Sequence, residues 1–283
     1  MSTATLSPDV RTPSAWGQAL AIAWRTLAQR SRGLLAWTLG LVLGAVMQIA
    51  VYPSMASSGD ALQQYVDAWP DALREAFGLA DYTTAAGFLN TELFSFVVPL
   101  VLVGVALAAG AAATAGEEEQ GTLELLLSVP VRRSTVLAGK ALAMVVAVAV
   151  ASTALVLTLL IGNPIVDLDV GAGYLVAATA ACALIALAFG SVGLLLGALT
   201  GHRAVALGTG FGLVLATYLI NILAPMADWL KPWQNVSPFH WVLDDNPLKS
   251  GLPLGGSALV LSVALAAAAA AFAAFARRDI STR

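Results

Sequence analysis

The chain has 283 residues, of which 59% are hydrophobic and 11% charged, with a mean hydropathy of +0.82. An ordinary soluble domain is about 25% charged, so a water-soluble globule is excluded and a polytopic membrane protein is expected. Fourteen Lys+Arg against 17 Asp+Glu give a net charge of −3, without the basic excess of a nucleic-acid binder, and the single Cys182 excludes an intrachain disulfide and a cysteine-based metal centre.

Residues 1–33 are polar and carry Arg11, Arg25, Arg30 and Arg32. They lack the apolar core and small-residue cleavage site of a signal peptide, so the N-terminus is expected to be retained. Within them, 14–30 set Trp16, Leu20, Ala23, Trp24 and Leu27 on one helical face, with Gln18, Arg25 and Gln29 elsewhere. That pattern predicts an amphipathic helix along the inner leaflet, ahead of the first span.

About 20 apolar residues carry a helix across a ~30 Å hydrocarbon core. Six stretches qualify, at 34–52, 93–115, 136–161, 173–198, 204–224 and 255–276. They predict an all-α transmembrane domain over 34–276, followed by a tail at 277–283. The ten-residue alternation of a membrane barrel is absent. Between the first two spans, 53–92 repeats Leu62, Tyr65, Val66, Trp69, Leu73 and Phe77 at helical spacing around Pro70, predicting one or two short helices. The 225–254 segment carries five prolines with Trp229, Trp233 and Trp241, predicting broken pieces at the membrane boundary. Glycines at four-residue spacing (Gly40/Gly44, Gly193/Gly197/Gly201, Gly208/Gly212) point to close helix packing.

The connecting segments set an orientation. The tails, the 116–135 loop and the 199–203 turn, together with Lys140, hold eleven of the 14 basic residues, leaving Arg74, Lys231 and Lys249 opposite. Positive charge resists translocation, so both termini are expected in the cytoplasm. Eleven of the 17 acidic residues fall on the outer side. That face would attract a cationic or amphipathic substrate, or it consists simply of solvated loops.

Within the spans the polar side chains are mild, among them Gln48, Ser191, Thr217, Tyr218 and Asn221. A proton- or ion-driven carrier needs an intramembrane titratable group, and the nearest, Glu92, lies at the outer end of span two. Gln48, Thr217, Tyr218 and Asn221 are candidates for a translocation path or for helix–helix hydrogen bonds. Gly139-Lys140 is followed by alanine and Ser134 stands where a phosphate-binding loop needs glycine, so the chain has no ATPase motif of its own. No catalytic or metal site is expected: Ser191 has both histidines, His202 and His240, in loops on opposite sides, and Asp244-Asp245 has no facing acidic motif.

The 116–135 loop is the most distinctive segment. Glu117, Glu118 and Glu119 emerge as span two ends, Gly121 permits a bend, Thr122 can cap a short helix over 123–128 bearing Glu124, and Pro130 ends it. Such a helix lies along the inner surface and can pass force from a cytosolic partner to two spans at once.

Residues 118–128 (EEQGTLELLLS), Pro130, Arg133 and Gly139-Lys140 resemble the hallmark of ABC-2-type transporter permeases. The NVSPFHW run at 235–241 and Asn246-Pro247-Leu248 resemble that family's outer segment, and YPSM at 52–55 with GFLNTELF at 87–94 is similar to its antibiotic and polyketide exporter branch. The resemblance implies a six-helix subunit that pairs with itself or a second permease in the cell membrane of a bacterium, among membrane lipid. Two separate ATP-binding subunits would carry ATP and magnesium, with no cofactor on this chain. Glu117, Glu118, Glu119, Gly121, Thr122 and Glu124 would form the coupling segment that docks on them, and an amphipathic drug, antibiotic or lipid-like compound would move outward. Two other readings stay open: a membrane anchor that holds an ATPase without transporting, and an intramembrane enzyme using Ser191 or Asp244.

Overall fold

A single 43-residue helix, α1 (Ala15–Ser57), opens the described chain, its first turn capped by Ser14, whose hydroxyl accepts from the Gly17 amide at 3.2 Å. The computed structural model describes residues 14–70, 73–74, 79–119 and 132–277. At ~1.5 Å per residue, α1 is about 65 Å long, roughly twice the thickness of a hydrocarbon core. The sequence predicts a surface helix over 14–30 and a separate span from 34, but the helix runs through unbroken. The physical reason is local. Only Gly33 interrupts the stretch, a single glycine costs a helix about 1 kcal/mol, and good helix formers flank it on both sides.

After α1 come α2 (Gly59–Asp67), a 3₁₀ turn (Leu79–Asp81) and α3 (Ala85–Leu89). The end of α2 ahead of Pro70 agrees with the proline's inability to continue a helix. A π turn (Asn90–Phe94) and a bend then lead from α3 into α4 (Val97–Glu119). Span two thus has helical structure from Ala85, eight residues before the expected boundary. Beyond lie α5 (Arg133–Gly162), α6 (Ala172–Thr200), α7 (Arg203–Leu223) and, after the outer pieces, α11 (Leu254–Arg277). Among the described residues six helices are long and apolar enough to cross a membrane.

The helices run up and down. A Cβ placed on Gly139 would meet Ala19 and Ile22, and one on Gly162 would meet Ile49, so α1 and α5 are parallel neighbours. Likewise Gly190 abuts Ala106 and Gly197 abuts Thr114, making α4 and α6 parallel. These two form the centre of the bundle. A Cβ on Gly110 would collide with the Gly190 carbonyl, and one on Gly193 would stand 2.7 Å from Leu107 Cδ1. The bare backbone permits this contact, as small residues do between membrane helices. Gly40, Gly44, Gly208 and Gly212 differ: nothing among the described residues lies within 4 Å of their Cβ positions. The glycine spacing is therefore two features, one used inside the subunit and one facing outward from it.

Between α7 and α11 the chain breaks into a 3₁₀ turn (Ala224–Met226), α8 (Lys231–Gln234), α9 (Pro238–Leu243) and α10 (Pro247–Ser250), each with a proline in its first turn. Proline is tolerated there because the first amides of a helix have no intrahelical acceptor. The Trp241 indole donates to the Asn235 carbonyl at 2.7 Å, closing the turn before α9.

Candidate functional site

The proposed coupling segment begins where α4 ends. Glu117, Glu118 and Glu119 form the last turn of that helix, their side chains lying outside the described residues, as do Gly121, Thr122 and Glu124 entirely. Its frame is defined. Lys140, 4% exposed, donates from Nζ to the Ala113 carbonyl at 2.8 Å and so ties the third turn of α5 to α4 six residues before that helix ends.

The four polar candidates for a path fall into two groups. Gln48 on α1 donates to Glu92 Oε2 at 3.3 Å, and the Tyr82 hydroxyl donates to Glu92 Oε1 at 2.6 Å. The π turn that carries Glu92 is a rare geometry, found frequently at functional sites. Burial, reinforced by the Glu92 hydrogen bond and charge, pushes the Tyr82 phenol well above its ordinary range. It therefore stays a donor. Sequence reasoning singled out Gln48 and Glu92 separately and missed their pairing, for which no local signal exists across 44 residues.

Thr217, Tyr218 and Asn221 sit on α7. The Thr217 hydroxyl donates back to the Leu213 carbonyl at 2.8 Å, and its own carbonyl accepts from Ser237 Oγ at 3.0 Å. Tyr218 is buried between Phe96 and Phe239, with ring centroids 5.7 and 5.4 Å away, and Phe239 continues to Phe189 at 5.9 Å. These rings join the start of α4, α6, α7 and α9. Asn221 Oδ1 is buried without a hydrogen-bond partner among the described residues.

None of these four lines either of two cavities. One, of about 390 Å³, lies at one end of the bundle among Tyr52, Asp167, Asp169, Tyr174 and Lys249. Lys249 pairs there with the Asp81 carboxylate. Asp167 and Asp169 hold left-handed backbone at φ 50° and 52°. Asn163 secures that loop by donating to the Val170 carbonyl at 2.9 Å and accepting from its amide at 3.3 Å.

The larger cavity, about 520 Å³, opens at the other end between α1, α4 and α5, with the first residue of α7 at its edge. Arg30, Lys140 and Arg203 line it, together with Thr26 and Gln29. Arg30 Nη1 donates to the Ala108 carbonyl at 3.3 Å, and Ala108 is the midpoint of α4. The sequence places Arg30 on a surface helix. The continuity of α1 instead brings it against the middle of a spanning helix. In the sequence all three cations are only topological charges; nothing local announces that they converge.

A family model described as an ABC-2 family transporter protein matches residues 20–240. That stretch takes in α1 from Leu20, the helices through α7, the proline-rich segment as far as His240 and every residue of the larger cavity. No curated protein matches the chain.

Proposed function

The chain belongs to the ABC-2 transporter family, and from that premise we propose that it is the permease half of an ATP-driven exporter for an amphipathic compound, worked by two copies of a separate ATP-binding subunit. Membership alone carries the coarser statement: a multi-pass membrane permease of an ABC exporter that pairs with an ATP-binding subunit. The direction of force, the docking segment and the cargo are our reading.

The observation that carries it is the Lys140–Ala113 bond. A partner pressing on the segment between α4 and α5 meets two helices already fastened just above it, so they move together instead of splaying. Each has a parallel neighbour, α6 for α4 and α1 for α5, through glycine contacts too close for a side chain. Displacement at one end of such a packed bundle is passed along it. Glu117, Glu118, Glu119, Thr122 and Glu124 would supply acidic and polar contacts to a basic groove on the ATPase, with Gly121 as the bend. The arginines and lysine at that end support its placement on the cytoplasmic side.

Gly40, Gly44, Gly208 and Gly212 meet nothing among the described residues, which supports a second permease copy packing against those faces. Co-expression with a candidate ATP-binding subunit tests the reading. The two should co-purify, and Glu117→Lys or Gly121→Pro should lower ATP-dependent transport while the protein stays in the membrane. Normal transport in both variants would remove the coupling role. ATP hydrolysis that responds to no amphipathic compound would favour an anchor.

A further inference from the structure

We propose that the face of α1 bearing Arg25, Gln29 and Arg32 lines a water-filled vestibule that attracts anions, entering the bundle at the end where α5 begins and stopping near its mid-depth. The three stand at spacings of four and three residues, so they share one side of the helix, and all are exposed. α1 holds no acidic residue, which gives this side a single sign of charge.

Their depth comes from the register with α5. Ile22 packs against Gly139 and Ile49 against Gly162, so the stretch of α1 between those contacts runs alongside α5. From Ala141 to Gly162, α5 carries no charged residue. At ~1.5 Å per residue that stretch is as long as the hydrocarbon core is thick. Arg25, Gln29 and Arg32 come three, seven and ten residues after Ile22, about 5, 10 and 15 Å further along.

At the same level α5 exposes Val145 and Val150. One depth of the subunit therefore has two kinds of exterior, apolar on α5 and guanidinium and amide on α1. Hydrocarbon suits only the first. A charged side chain deep in a span faces the bundle interior or a water-filled cavity far more often than lipid. Snorkelling relieves an arginine near a membrane surface, but it does nothing for Gln29, and Arg32 lies deeper than a side chain reaches. Seven residues beyond Arg32 the same side of α1 shows exposed Leu39, and the polar stretch ends. The opposite wall would come from the second permease copy inferred above. The vestibule itself needs no partner ATPase and no cargo, and cross-linking reports the second copy separately, so failure of either reading is distinguishable from a dry vestibule.

The test is cysteine reactivity of the full chain in unsealed membranes of the expressing cells, where both surfaces are open to reagent. Cys182, the single native thiol, is fully buried and should stay unmodified. Because only the ionised thiol reacts, sulfonatoethyl methanethiosulfonate should modify Gln29→Cys and Arg32→Cys at least about tenfold faster than Leu39→Cys or Val150→Cys, read by intact mass. At Gln29→Cys the sulfonate should also outpace the trimethylammonium analogue by about tenfold, relative to their rates with free cysteine, as expected where one sign of charge lines a cleft. Arg25→Gln and Arg32→Gln should each reduce that ratio. All these positions are exposed, so the changes probe access and charge and leave the packed interior alone.

Modification of Gln29→Cys and Arg32→Cys as slow as that of Val150→Cys places this face in lipid and overturns the proposal. Fast modification of all four sites places the whole level in water and overturns it equally. Equal relative rates for the two reagents, or a ratio unmoved by the arginine variants, contradict the attraction of anions.

Discussion

Lys140 gives a hydrogen bond to the Ala113 carbonyl at 2.8 Å while its side chain is almost wholly buried, so one ammonium group fastens the two helices that bracket the proposed coupling segment. Replacing it with methionine keeps the length and apolar stem but removes the donor. Loss of a charged hydrogen bond costs about 1–3 kcal/mol, and Lys140→Met should lower the thermal midpoint of the purified chain. ATP hydrolysis by the complex should persist while transport per ATP falls. An unchanged transport ratio would show that the fastening plays no part in coupling.

Gly110 and Gly208 should behave oppositely. A methyl group on Gly110 runs into the Gly190 carbonyl and lies 2.9 Å from the Leu194 amide nitrogen, all backbone that cannot step aside. Gly110→Ala should therefore destabilise by about 1–3 kcal/mol. Gly208→Ala meets nothing within 4 Å among the described residues and should be neutral or stabilising by up to about 1 kcal/mol in the isolated subunit. If a second copy covers that face, the same change weakens association, which cross-linking in native membranes measures.

The Tyr82–Glu92 bond makes a pH-dependent contribution. The neutral phenol is the donor and its titration is displaced upward, so the folded form holds its proton more tightly than the unfolded chain. Stability from this bond is complete below the unfolded value near 10 and declines as the pH rises above it. Tyr82→Phe should lower the thermal midpoint at pH 7, a cost of about 1–2 kcal/mol. Its deficit relative to the parent should narrow only above pH 10. A deficit that closes between pH 6 and 8 would place the titration on another group.

Phe239 should be the most sensitive residue of the 225–254 segment. Its ring contacts Tyr218 and Phe189 at 5.4 and 5.9 Å, and it is 1% exposed. Truncating a buried phenylalanine costs about 3–5 kcal/mol. Phe239→Ala should release α9 from α7, read as faster proteolysis within 225–254. Trp233→Ala, at an exposed position, should leave the cleavage rate unchanged.

Much of the bundle is legible in the amino-acid order because membrane spans are written in long apolar runs, and the proline-broken outer segment because each proline forbids a continuous helix. The joining of the 14–30 and 34–52 helices is not, since one glycine leaves break and continuation nearly equal in energy. Contacts between distant residues are also hidden. Arg30 reaches a carbonyl 78 positions away and Gln48 a carboxylate 44 away, and charge counting registers only the side of the membrane. The glycine spacing reads identically at 193/197 and 208/212, yet one pair packs inside the subunit and the other faces away from it. Of the motif with the strongest family signal, 118–140, residues 120–131 lie outside the described residues.

The most direct measurement is flux of an amphipathic compound into sealed vesicles containing the chain with and without its ATP-binding partner. Accumulation against a gradient should require both the partner and hydrolysable ATP, and should stop with Glu117→Lys. Accumulation by the chain alone, driven by a proton or sodium gradient and indifferent to ATP, would contradict the account.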